Sequence, residues 1–173
     1  MKRLAAFTVF LLSAITRADD FDTWFALSPD KQLIAVERRI ADSELPSRLD
    51  LDGCTVFICA AEDGIQKSVI AQHTFSERVI SGIQWSPDSK FLLFTTASSG
   101  GHSPWHFKTY VYSVADQSFR DVESAAGGSV GAAQLHFEPP DVAVLQLHQA
   151  DSDSTKPIKI ALGKAVQKME RLQ

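Results

Sequence analysis

Beyond its first eighteen residues the chain alternates apolar and polar positions with a period of two. That period is the mark of half-buried strands. It predicts strands at Gln32 to Glu37, Cys54 to Ala60, Ser68 to His73, Val79 to Trp85 and Phe91 to Thr96. Further strands are expected at Lys108 to Val114, Ser118 to Val122, Gln134 to Phe137, Val142 to His148 and Pro157 to Leu162. Clusters of Gly, Pro, Asp and Ser separate them, as turns require. Near the C-terminus Ala165, Val166, Met169 and Leu172 fit one helical face, so a short closing helix competes there with a last strand.

One turn signal is repeated. Ser28-Pro29-Asp30 precedes the apolar run Leu33-Ile34-Ala35-Val36, and Ser86-Pro87-Asp88 precedes Phe91-Leu92-Leu93-Phe94, 58 residues later. Proline fixes φ near −65°, which suits the second position of a type I turn, and the flanking Ser and Asp can bond nearby backbone N–H groups. Both sites therefore read as hairpins, joining Phe25–Leu27 to Leu33–Val36 and Ile83–Trp85 to Phe91–Phe94. A degraded third copy, Glu138-Pro139-Pro140-Asp141, lies between Leu135–Phe137 and Val142–Leu147. A turn repeated between strands implies a repeated supersecondary unit.

These segments resemble the WD40-like repeats of the propeller domains in TolB and in the prolyl oligopeptidase family. The resemblance is carried by Ile83-Gln84-Trp85-Ser86-Pro87-Asp88-Ser89-Lys90-Phe91-Leu92-Leu93-Phe94 and by Thr109-Tyr110-Val111-Tyr112-Ser113-Val114. It implies that the turn joins the inner two strands of a four-stranded blade, with blades at about 22–74, 79–122 and 131–173. The expected fold is all-β: an open array of about three antiparallel four-stranded blade-like sheets, a partial propeller. Closed propellers use typically about 4–8 blades, so three leave sheet edges open. Self-association through those edges, a compact sandwich-like array and a remnant of a longer propeller all remain open. Propellers host many unrelated functions, so the resemblance says little about activity.

Lys2 and Arg3, the apolar run Leu4 to Ile15, and Thr16-Arg17-Ala18 have the layout of a secretory signal peptide. The apolar run is shorter than the roughly 20 residues a membrane span needs. No cysteine stands at the cleavage point for a lipid anchor. The expected location is the periplasm or the outside of the cell, off the membrane after cleavage, with residues 19–173 forming one domain. Removal of residues 1–18 leaves 14 basic residues against 21 acidic ones. Such a chain repels phosphate backbones, so nucleic acid is not an expected partner.

An oxidising compartment invites a disulfide. Cys54 and Cys59, however, bracket the strand-like Thr55-Val56-Phe57-Ile58. Five extended residues separate their α-carbons by roughly 16 Å and turn the side chains to opposite faces. A disulfide tolerates only about 4.4–6.8 Å, so no Cys54–Cys59 bridge is expected and one thiol is expected to be buried.

The chemical motifs are weak. Gly127-Gly128-Ser129-Val130-Gly131 fits the G-x-S-x-G pattern of a serine-hydrolase elbow, with Asp141 and His148 as nominal partners. The pattern works only between a buried strand and a helix, and neither flank reads that way. A small hydrolase using Ser129 is the alternative to a binding module. His102 and His106 lie in a loop broken by Pro104, with no third zinc ligand near. Asp50 and Asp52, and Asp151 and Asp153, suit solvated turns and lack calcium-loop spacing. No metal and no cofactor is expected. Trp85, Phe94, Tyr110 and Tyr112 read as inter-sheet packing.

The long connections fall at one place in each unit, after the strand that follows the turn. They are Arg38 to Gly53, Ala97 to His106 and Gln149 to Lys156. In stacked units equivalent loops emerge on one face, and long loops on a rigid scaffold are where binding resides. That face would carry Arg38, Arg39, Asp42, Glu44, His102, Trp105, His106 and Asp151. The expected function is a non-enzymatic binding module engaging another envelope or secreted protein. A structural or inhibitory partner of a secreted enzyme is a further alternative.

Overall fold

The repeated turns fold alike. Ser28 Oγ donates to Asp30 Oδ1 at 2.6 Å and accepts the Leu33 N–H at 2.9 Å. Ser86 Oγ donates to Asp88 Oδ1 at 2.7 Å and accepts the Phe91 N–H at 3.0 Å. In each, the residue after Asp (Lys31 or Ser89) takes a left-handed conformation, with φ of 62° and 60°. The chain here is a computed structural model, which describes residues 24–40, 53–76, 78–98, 107–130, 135–148 and 154–173.

The first hairpin opens sheet 1, formed by β1 (Phe25–Leu27), β2 (Leu33–Ile40), β3 (Gly53–Glu62) and β4 (Ile65–Phe75) in that order. The second opens sheet 2: β5 (Arg78–Trp85), β6 (Phe91–Ser98), β7 (Lys108–Ser113) and β8 (Ser118–Asp121). A short helix α1 (Glu123–Ala126) leads to sheet 3, built from β9 (His136–Glu138), β10 (Val142–His148) and β11 (Thr155–Ala161). All pairings are antiparallel between sequence neighbours, and no sheet closes into a barrel. No described helix is long and apolar enough to cross a membrane.

Sheet 3 has three strands where four were expected. Its chain instead forms α2 (Leu162–Ala165) and a 3-10 turn at Val166–Lys168. Asp141 fixes the start of α2, since its carbonyl accepts the Leu162 N–H and its Oδ2 accepts the Gly163 N–H at 2.8 Å. Leu162, Val166 and Met169 are buried in one cluster. Leu172 departs from that helical face. Its N–H bonds the Phe119 carbonyl at 2.9 Å, while the Asp121 N–H bonds the Glu170 carbonyl at 3.0 Å. The tail thus covers the outer edge of β8, which an open array would leave to other chains.

Sheet 2 is packed on both faces. Leu92, Phe94, Tyr110, Tyr112 and Phe119 share a core with Ala35, Cys54, Val56, Ile58 and Phe75 of sheet 1. Phe91, Leu93 and Val111 share a second core with Ala143, Leu145 and Ile160 of sheet 3. The continuous apolar run of β6 therefore serves both faces at once. The first core is an aromatic cluster, with ring centroids 4.7 Å apart for Phe75 and Tyr110 and 5.5 Å for Phe75 and Phe94. Such pairs add about 0.5–1.5 kcal/mol each beyond their buried area. The indole of Trp85 donates to the Ala26 carbonyl at 2.9 Å and ties the first strand of sheet 2 to the first strand of sheet 1.

Cys54 and Cys59 are free, as the strand geometry required. Both are buried, not one: Cys54 in the core between sheets 1 and 2, Cys59 on the opposite face of β3.

Candidate binding site at the long-loop end

The two Ser-Pro-Asp turns lie side by side, joined by the bond from the Asp30 N–H to Ser89 Oγ at 3.0 Å. The far ends of β2 and β6, after which residues 41–52 and 99–106 follow, then lie together at the opposite end. Sheet 3 follows suit. The His148 N–H bonds the Ser129 carbonyl at 2.9 Å, and Val130 forms a bridge with Leu147. The Val130 N–H reaches Glu123 Oε1 at 3.4 Å, just beyond the end of β8. The residues between β10 and β11 therefore leave from that end too.

Toward this end of the strands the inter-sheet core turns from apolar to polar. On β2 the inward positions run Leu33, Ala35, Glu37, Arg39, so two apolar side chains give way to two charged ones. Glu37 is 1% exposed. Its Oε1 accepts the Ile80 N–H at 3.1 Å, joining sheet 1 to sheet 2 through a side chain. Burial pushes its carboxyl pKa upward, against the opposing pull of that N–H and of the Arg39 charge. Cys54, level with Arg39 on β3, has its thiol pushed up to about 12 by burial and by the negative charge of Glu37. The thiol stays neutral at ordinary pH, which unsuits it to nucleophilic work.

Sheet 2 supplies the other half. Arg78 Nε donates to Thr96 Oγ1 at 2.6 Å and its Nη2 to the Thr96 carbonyl at 3.3 Å, which ties the guanidinium to β6. Its positive charge acts on Cys54, Tyr110 and Glu123. Burial raises the Tyr110 phenol and the Glu123 carboxyl, the latter helped by the nearby Asp121. Glu37, Arg39, Arg78, Tyr110 and Glu123 thus form a mixed-charge cluster at this end of the strands, with Glu37 and Tyr110 closed off from solvent inside it. Among the described residues no group of three or more His, Cys, Asp or Glu could hold a metal ion.

Arg38 and Arg39 lie on the last part of β2, at this end. Strand alternation sends them to opposite faces: Arg38 is exposed on the outer face of sheet 1, and Arg39 points with Glu37 toward sheet 2. Asp42, His102, Trp105, His106 and Asp151 lie outside the described residues, as do residues 1–18. Sequence reasoning passed over Glu37, Arg78 and Glu123, and read Tyr110 as inter-sheet packing, where it lies. The signal for Glu37 was present, since it is a carboxylate at a position whose period assigns it to the core.

Ser129 is exposed, and its flanks run opposite to a nucleophile elbow. A helix ending at Gly127, with φ of 75°, precedes it, and a β-bridge follows at Val130. Asp141 is engaged at the start of α2, 22 residues along the chain from its partner Gly163.

No family model matches the chain, and no curated protein matches it. Among solved structures it is similar to the uncharacterized protein lmo1340 from Listeria monocytogenes EGD-e, with a TM-score of 0.47 and 14% identity. That match covers 86% of this chain and 39% of the other.

Proposed function

We propose that the chain is a periplasmic or secreted binding module that engages another envelope or secreted protein through its long-loop end. The observation that carries this reading is convergence. The long connections of all three sheets leave from the end where Glu37, Arg39, Arg78, Tyr110 and Glu123 gather. Two four-stranded sheets with like turns, stacked face on face, support the reading of the units as propeller-type blades. The leader-like residues 1–18 support an extracytoplasmic location. The excess of acid over base speaks against a polyanionic partner.

The test is a double substitution, Trp105→Ala with His106→Ala, in the connection between β6 and β7. Capture of partners from an envelope extract is expected to fall, while the far-UV spectrum and the thermal midpoint hold. Unchanged capture with an intact fold would place binding elsewhere.

A further inference from the structure

A groove of about 470 Å³ lies where α1, β11 and the segment from α2 into the 3-10 turn meet. Its charged lining is Lys159 from β11, Lys164 from α2 and Lys168 from the turn. Among the described residues no acid lines it, although the chain carries 21 acidic residues against 17 basic ones. Acids on the adjoining stretches of chain hold other groups. Asp141 Oδ2 accepts the Gly163 N–H at 2.8 Å, and Glu123 Oε1 accepts the Val130 N–H at 3.4 Å.

Lys164 and Lys168 stand four apart on a helical stretch, and like charges at that spacing repel. Neither pairs with an acid among the described residues. Lys159 Nζ pairs with Glu138 Oε1 at 2.6 Å, with both side chains largely in solvent. Exposed pairs of this kind are weak. Three ammonium groups thus border one space with a single, solvent-screened counter-charge.

The strand adds backbone donors. The Leu162 N–H bonds the Asp141 carbonyl at 3.2 Å, and bonded pairs alternate along an antiparallel ladder. Ile158 and Ile160 then bond β10, while Lys159 and Ala161 direct their N–H groups off the open edge of sheet 3. Pro157, which has no N–H to give, falls in the same edge-facing set. Ser124 adds no donor, because its hydroxyl donates to the Asp121 carbonyl at 3.2 Å.

These groups suit a compact, highly charged anion. Lysine is a point charge that binds phosphate, whereas a planar carboxylate is best matched by the fork of arginine. No arginine lines the groove. The volume exceeds one phosphate and falls within the range of small-molecule sites, about 300–1,000 Å³. There is room for an organic body beside the phosphate, along Ala125 and Ala165.

We propose that this groove binds a phosphomonoester through Lys159, Lys164 and Lys168. A single phosphate differs from the polyanions that an acidic surface repels. None of the residues that carry the binding reading lines the groove, so the two stand or fall separately. Calorimetric titration of the full chain with glycerol phosphate tests it, beside co-sedimentation with phosphatidylcholine vesicles with and without phosphatidic acid. Saturable binding is expected in at least one arm. Uptake of glycerol phosphate marks a free ligand, and binding confined to phosphatidic acid vesicles marks a lipid headgroup. Lys164→Gln with Lys168→Gln is expected to weaken that binding about tenfold or more, the worth of one charged hydrogen bond. Both lysines are exposed, so the near-UV signal of buried Trp85 should hold. Lys67→Gln, on β4 of sheet 1, should leave binding unchanged. No binding in either arm overturns the proposal. So does binding that survives the paired substitution, or that Lys67→Gln weakens equally.

Discussion

The hydroxyl of Ser89 accepts a hydrogen bond from the backbone N–H of Asp30, so one copy of the repeated turn rests on the other. Ser89 is not itself part of the Ser-Pro-Asp signature. It is the left-handed residue that follows, and its conformation aims the hydroxyl at the neighbouring unit. The contact fixes which ends of the two sheets coincide. Ser89→Ala is expected to cost about 0.5–1.5 kcal/mol, the net worth of one hydrogen bond, in chemical denaturation. It should speed amide exchange at Asp30.

The two turn serines should respond unequally. The bond from Phe91 N–H to Ser86 Oγ is buried, whereas its counterpart from Leu33 to Ser28 is partly solvated. Ser86→Ala strands a buried donor and is expected to cost about 1–3 kcal/mol. Ser28→Ala should cost less, because water can replace the lost acceptor. Paired urea titrations check the order.

Glu37 predicts a pH dependence. Its folded pKa is raised by burial, so the unfolded chain gives up this proton first as pH rises. The contribution is fully present below the unfolded carboxyl value, near 4.3, and is lost as pH climbs through the folded value. Glu37→Gln keeps an acceptor for the Ile80 N–H and removes the titration. The stability of Glu37→Gln relative to the native chain should therefore rise from pH 4 to pH 8. Glu37→Ala loses the acceptor and should cost about 1–3 kcal/mol throughout.

Both cysteines should be silent. Cys54 and Cys59 are fully buried, and the Cys54 thiol is pushed up to about 12. A thiol reagent at pH 8 is expected to find none in the native protein and two in denaturant. Reduction should not alter the thermal midpoint.

Much of this arrangement was legible from residues alone. Period-two alternation located the strands, and Ser-Pro-Asp located the two hairpins. The unbroken run Phe91-Leu92-Leu93-Phe94 has its physical reason in a strand clad on both sides. Other features depend on tertiary partners. The register shift at Ile58/Cys59 carries no local signature, whereas the one at Ile80/Gly82 falls at a strand glycine, which often marks a bulge. The spacing of Val166, Met169 and Leu172 suggested one helical face, but the edge of β8 draws Leu172 away. The polar cluster was the least legible part, because Glu37 on β2, Arg78 on β5 and Glu123 at the start of α1 are far apart in sequence and only the stacking brings them together.

The tail that Leu172 belongs to is held by Arg120, which is 8% exposed. Its Nε donates to Ser118 Oγ at 3.0 Å, its Nη1 to the Met169 carbonyl at 3.2 Å, and its Nη2 pairs with Asp116. Arg120→Ala should leave Asp116 without this partner and release residues 169–172 from β8. Faster exchange at Asp121 and Leu172 is expected, ahead of any change in sheet 1.

The stacking of like ends on like ends supports both the fold and the binding reading, and one distance measures it. Lys31 and Lys90 are exposed, one beside each turn, and the native thiols are buried. Spin labels on Lys31→Cys and Lys90→Cys should give one narrow distance, set by the roughly 10 Å spacing of packed sheets plus the label arms. A broad distribution, or a separation matching the full length of a strand, would mean that the turns do not share an end and that the long loops do not converge.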